Sequence, residues 1–313
     1  AAPWPGFGTE TADQANALLV AAQSMLCVPE LVPGAWTPEL DGHLSGAPAA
    51  RAAVQGALWD HAARRAGCPL ADQLAADAGA LHRDVLRRVP TSALLVACEP
   101  GALRDEAARA RDSGHRAAKI KLGAASLEED VARARAAREG LGPEVRLRGD
   151  ANGAWSRRDA RVALEALAEF GFDYLEQPIA ADDFDGFVEL HRWAPVRIAA
   201  DESVASEAGV LRLLSVGAVD VVVLKPATLG GPARALELAA QAQRDGIEVV
   251  FSHTFESAVG ARHVLHCAAA WGDPAAVHGL CTEGLFESDV AAAVGCPGGV
   301  AEISAGPGLG ITP

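Results

Sequence analysis

Five ionisable residues close five successive apolar runs at nearly constant intervals. Lys121 to Asp150 is 29 residues, followed by 26 to Glu176, 25 to Asp201 and 24 to Lys225. Each interval holds one short apolar run and one amphipathic stretch, which is the repeat of a βα unit. The predicted strands are 91–97, 116–122, 145–150, 172–176, 197–201, 219–225, 247–252 and 276–280. Two further helices are predicted ahead of them, over 9–24 and 48–66. Ser126-Leu127-Glu128-Glu129 and Ser156-Arg157-Arg158-Asp159 read as capping boxes, and Pro232 suits the first turn of a helix. A doubly wound open sheet and a closed barrel both fit this alternation. In an open sheet the strand ends spread along an edge, whereas in a (β/α) barrel they meet at one mouth. Asp150, Glu176, Asp201, Lys225 and Ser252 at the C-terminal ends of different strands favour the barrel. No G-x-G-x-x-G follows a strand, so a dinucleotide site has no support.

A parallel strand buried on both faces should be almost wholly apolar, and an unpaired buried charge is very costly. Charges that recur at the strand ends therefore need a joint explanation. Three carboxylates converging on one cavity repel each other unless a cation lies among them. Oxygen donors without His or Cys favour a hard divalent ion, Mg²⁺ first and Mn²⁺ second. The competing explanation, that the acids pair with arginines or cap the following helices, serves for one acid better than for three in step.

Composition sharpens the case for the lysines. Of 27 basic residues only three are lysine, at 119, 121 and 225. Arginine cannot be deprotonated in a protein, while a lysine can act as acid or base. Lys119 and Lys121, two apart on one strand, point to the same face. Lys225 arrives four strands later, from the opposite side of a barrel. A divalent cation beside lysines lowers their pKa and suits them to proton transfer. Proton abstraction next to a carboxylate fits such a site, with a small-molecule carboxylate as substrate.

Formal net charge is −14, which argues against nucleic acid as a partner, and no apolar run reaches the length of a membrane span. Six scattered cysteines without a C-x-x-C pair, and no leader-like opening, predict a reduced, cytoplasmic protein. The sequence leaves the oligomeric state open.

The motifs K-I-K (119–121), D-A-N (150–152), L-E-Q-P (175–178), A-D-E-S (200–203) and L-K-P (224–226) resemble the enolase superfamily, muconate-lactonising subgroup. Within it the chain closely resembles the o-succinylbenzoate synthase family of menaquinone biosynthesis. P-G-F-G-T-E-T (5–11), S-H-T-F-E-S-A-V-G (252–260), G-L-C-T (279–282), D-V (289–290) and G-P-G-L-G (306–310) extend the likeness to nearly the whole chain. The resemblance implies a modified TIM barrel of about seven βα units plus a last strand. It implies a partial, mainly helical capping domain over 1–90, the barrel over 91–282, and a segment over 283–313 returning to the cap. It implies Mg²⁺ held by Asp150, Glu176 and Asp201, with Lys121 as acid/base, Lys225 on the opposite face and Lys119 supporting Lys121 electrostatically. Asn152 and Glu202 are expected behind the ligands, and Ser252 and Thr254 near the substrate carboxylates. The front departs from the family. Only four residues precede P-G-F-G, so the capping domain is either reduced or incomplete in this sequence.

The implied activity is a hydro-lyase: dehydration of 2-succinyl-6-hydroxy-2,4-cyclohexadiene-1-carboxylate to 2-succinylbenzoate through an enediolate. N-acylamino-acid racemisation, for instance of N-succinylamino acids, would use the same residues. Dipeptide epimerisation ranks lower, because no D-x-D pair follows the last predicted strand. A Schiff-base aldolase using Lys225 would not need three carboxylates, and a non-catalytic scaffold would need none of the five residues. His253 follows a strand end and could line the mouth, but a structural or surface role is expected; His263 and His266 are expected to pack, Trp155 to roof the mouth or pack, and 306–310 to form a turn.

Overall fold

The computed structural model describes residues 3–27, 33, 37–77, 84–280 and 287–311. Nine strands are found among them: β1 (Arg88–Pro90), β2 (Ala93–Leu95), β3 (Ala117–Lys121), β4 (Arg146–Asp150), β5 (Phe172–Glu176), β6 (Ile198–Ala200), β7 (Val221–Leu224), β8 (Glu248–Phe251) and β9 (Val300–Glu302). Strands β2 to β8 form one parallel sheet in chain order, each joined to the next through a helix. β1 and β9 pair antiparallel as a separate ribbon.

The two edges of the parallel sheet meet through residues 278 and 279. His278 bridges to Thr91 and Gly279 to Ser252, both parallel. Ser92 N–H donates to the His278 carbonyl and Gly279 N–H to the Phe251 carbonyl, each at 2.9 Å. The barrel is thereby closed, but the strand expected over 276–280 shrinks to these two bridging residues. The cause is local. The His278 ring Nδ1 accepts the Phe251 N–H at 3.0 Å, so a side chain takes a bond that a strand carbonyl would accept. Gly279 admits the close approach, since a Cβ there would lie 2.8 Å from Ser252 Oγ.

Alternation along the strands sorts two cores. Tyr174, Ala199, Val221, Val223 and Val250 form a small cluster of their own. Their chain neighbours Leu175, Ile198, Ala200, Val222, Leu224, Val249 and Phe251 join the large cluster between sheet and helices. Both faces are buried, as a wound parallel sheet requires. A third cluster, with Ala15, Leu40, Leu44 and Val54, packs the helices Ala12–Ala21, Pro38–His43 and Pro48–Ala66 together.

Most local signals act as expected. Ser126 and Glu129 cap the helix Leu127–Leu141 reciprocally, and Pro232 opens the helix Pro232–Arg244. Ser156 caps one way only: its Oγ accepts the Asp159 N–H but also donates to the Asp159 carboxylate, which is too short to reach back. The helix expected over 9–24 ends at Ala21, and a four-residue turn follows over Gln23–Leu26. Residues 306–311 bond to the early helices: Leu309 N–H donates to Asp60 and Leu70 N–H to the Gly308 carbonyl. No helix among the described residues is long and apolar enough to cross a membrane.

Candidate active site and metal centre

Strand register brings the charges to one level. Lys121 pairs with Asp150, and Asp150 with Glu176, across β3, β4 and β5. Asp201 and Lys225 follow directly on β6 and β7. Side chains in register on adjacent parallel strands share a face, so the three acids converge. Ligand atoms of Asp150, Glu176 and Asp201 lie within 4.8 Å of one another. These residues are 0%, 1% and 4% exposed.

The three lysines surround this cluster. Lys119 Nζ donates to Asp150 at 3.0 Å and to Glu176 at 2.9 Å. Lys121 Nζ donates to Asp150 at 2.7 Å and to Asn152 Oδ1 at 2.8 Å. Lys225 Nζ donates to Asp201 at 2.7 Å. Burial works against the Asp150 carboxylate, but the Lys119 and Lys121 ammoniums outweigh it and hold its pKa well below the ordinary range. Glu176 goes the other way: burial, reinforced by the charge on Asp150, pushes it up to about 8. Burial likewise disfavours the Lys119 ammonium, yet Asp150, Glu176 and Asp201 keep its pKa above that of an ordinary lysine. Glu176 has Lys119 on one side against the charges of Asp150 and Asp201, so a cation at the centre of the three acids would relieve the repulsion. Three buried hard-oxygen donors in that state fit a divalent cation.

The surroundings hold these groups in place. Asn152, in the left-handed region at φ 45°, donates its backbone N–H to Asp150 Oδ1 at 3.0 Å and its side-chain amide to Glu202 at 2.8 Å. Burial, then Asp201, raises the Glu202 pKa. Gln177, quoted in a motif but given no role from sequence, is also left-handed, at φ 41°. Its Oε1 accepts the N–H groups of Asp201 and Ser203, both at 3.1 Å, and so fixes the strand end that carries Asp201.

A cavity of about 100 Å³ opens on the cluster. The three lysines, the three acids, Asn152 and Ser252 line it. Thr254 does not: it is fully buried away from the lining. Ser252 Oγ donates to the Gly279 carbonyl at 3.1 Å. His253, expected to be structural or on the surface rather than at the mouth, is in the lining, and burial pushes its pKa down to about 4. Phe7 and Arg148 are among the lining residues not singled out from sequence. Phe7 sits with its ring centroid 4.9 Å from Lys225 Nζ and stacks in an aromatic group with Trp4 and Phe255. Arg148, 1% exposed, lies one layer below Asp150, bonded to Asp173 and to the Val277 carbonyl. The P-G-F-G motif was a signal for Phe7; in an arginine-rich chain nothing marked Arg148. Trp155 packs on the main core, and His266 accepts the Ala71 N–H. Residues 281–286, where the D-x-D pair is missing, lie outside the described residues.

Comparison with known proteins agrees with this geometry. The o-succinylbenzoate synthase of Mycolicibacterium smegmatis is 42% identical over 207 residues, covering 65% of this chain and 61% of the relative. The hydrophobic dipeptide epimerase of Enterococcus faecalis is 33% identical over 225 residues, covering 72% and 61%. The chain spans about three fifths of the length of these curated relatives. The muconate lactonizing enzyme of Pseudomonas putida superposes with a TM-score of 0.87 at 25% identity, covering 97% of this chain and 84% of that one. The family model described as enolase C-terminal domain-like matches residues 102–313. With that match, and with acids and lysines at the mouth of a parallel barrel, the chain belongs to the enolase C-terminal domain-like family.

Proposed function

We propose that this chain is a Mg²⁺-dependent hydro-lyase, an o-succinylbenzoate synthase. It would convert 2-succinyl-6-hydroxy-2,4-cyclohexadiene-1-carboxylate to 2-succinylbenzoate and water. One observation carries the reading: Lys121 and Lys225 approach a buried three-carboxylate cluster from strands four apart, within one cavity. Relatives at 40–43% identity that bear the name o-succinylbenzoate synthase support it.

Asp150, Glu176 and Asp201 would hold the Mg²⁺, or Mn²⁺ in its place. The bound ion supplies the positive charge that stabilises a developing enediolate. Lys121, as the neutral amine, takes the proton alpha to the ring carboxylate. The resulting Lys121 ammonium then protonates the departing hydroxide, so one water leaves and the amine is restored. Lys225 stays protonated on the other face and stabilises the anionic intermediate. Lys119 adds charge behind Lys121, and Asn152 and Glu202 steady the ligand end of β4. Ser252, on the cavity wall, would face the substrate carboxylates with Thr254 buried behind it, and the scattered cysteines suit a cytoplasmic enzyme.

The test is a steady-state assay with the cyclohexadiene substrate beside N-succinylamino acids, with and without EDTA. Dehydration that EDTA abolishes and Mg²⁺ restores is expected. Faster racemisation than dehydration would make the chain an N-succinylamino-acid racemase instead.

A further inference from the structure

The helix Leu127–Leu141 sends two charged side chains back to the strand it follows. Asp130 is fully buried on the face shared with Ala134, Ala137 and Leu141, where an apolar residue is the norm. Its Oδ2 accepts the Gly123 N–H at 2.7 Å. Arg133 donates from Nη1 to the Lys121 carbonyl at 2.6 Å and stands 3.8 Å from Asp130 Oδ1. Between the two, Leu122 N–H donates to the Asp150 carbonyl at 2.8 Å. Three consecutive residues at the end of β3 thus each have a backbone group pinned. Gly123, at φ 78°, abuts the turn after Asp150: a Cβ on it would lie 2.8 Å from Ala154 Cβ.

Burying a carboxylate and a guanidinium with so loose a contact between them is expensive in desolvation, and an apolar pair would pack the helix at less cost. The bonds that justify it go to the backbone on either side of one side chain. Lys121 has a long flexible stem, and its Nζ meets Asp150 and Asn152 from a backbone that these bonds hold. We propose that Asp130 and Arg133 are positioning residues for Lys121, clamping its carbonyl and the following Gly123 amide so that its ammonium stays aimed at the carboxylate cluster. The proposal rests on the reading of Lys121 as the acid/base.

Two measurements test it together. The chain has three lysines, so labelling lysine at ¹³Cε gives three signals, assigned by single Lys→Arg replacements. Arg133→Met and Asp130→Leu should shift and broaden the Lys121 signal and leave those of Lys119 and Lys225 in place. The same variants should lower kcat at least about tenfold with KM little changed, within the roughly hundredfold that a 1 Å misplacement can cost. Asp130→Asn keeps an oxygen to accept the Gly123 N–H and should recover most of the rate and the wild-type signal. An unmoved Lys121 signal in folded Arg133→Met, or all three signals moving together, would overturn the proposal. Should Asp130→Leu not fold, Arg133→Met carries the test. If the wild type turns over neither substrate, the functional reading fails and the lysine spectra still decide the clamp.

Discussion

Lys121 and Lys225 differ in what surrounds them, so their replacements should fail differently. Lys121 is half-exposed on the cavity wall and bonded to Asp150 and Asn152, while Lys225 is buried against Asp201 and the Phe7 ring. Lys121→Ala should lower the dehydration rate by about 10²–10⁴-fold, the usual worth of a general acid/base. Lys225→Arg keeps the charge but forbids proton transfer, so it should retain measurable dehydration and abolish any racemisation. Rates with both substrates decide this; complete loss of dehydration in Lys225→Arg with binding intact would give Lys225 a proton-transfer role. The acids are tested through stability. Mg²⁺ bound to the native state alone should raise Tm as its concentration passes Kd. Glu176→Gln should fold but lose most of that rise; an equal rise in both proteins would remove Glu176 from the ligand set.

At the scale of elements, the βα units stay in step because their helices pack closely. Helix Leu127–Leu141 crosses helix Pro100–Asp112 at Gly140, where a Cβ would lie 2.2 Å from the Arg104 carbonyl oxygen and 2.7 Å from Ala107 Cβ. Backbone cannot yield as a side-chain tip can, so Gly140→Ala must push the helices apart. It should cost about 1–3 kcal/mol, read as a lower urea midpoint. The site lies at the strand ends, away from this crossing, so kcat should persist while the protein is folded. A midpoint equal to the wild type would mean that the helices separate freely there.

The whole molecule carries a pH dependence. His266 and His278 are buried, and burial pushes each pKa down to about 3. An unfolded histidine titrates near 6.5. Between about pH 6.5 and 3 the unfolded chain therefore binds protons that the folded chain refuses. Stability present above pH 6.5 is lost as pH falls, with each histidine adding a slope of up to about 1.4 kcal/mol per pH unit. His278→Gln keeps an acceptor for the Phe251 N–H and removes the titration, so its stability should fall less steeply than the wild type's between pH 6.5 and 4. Parallel curves from urea melts across that range would refute the assignment.

Chain order and periodicity determined much by themselves. Spacing set one charge per strand end, and the two-residue step put Lys119 and Lys121 on one face. Both are properties of the local chain, since β geometry alternates sides and a βα unit has a nearly constant length. Ser126 and Pro232 marked their helix starts for the same reason. What depends on residues far apart in the chain was settled only in three dimensions. Gly279 and His278 close the barrel through Phe251 and Pro90, contacts that no pattern within 276–280 encodes. Phe7 reaches Lys225 across more than two hundred residues of chain. Arg148 looks like a surface charge in sequence, because burial of a charge depends on distant partners, here Asp173 and Val277. The opposite protonation tendencies of Asp150 and Glu176 belong to the same class. Identical chemistry in the chain diverges once the tertiary structure decides which carboxyl faces two lysines and which faces another carboxylate.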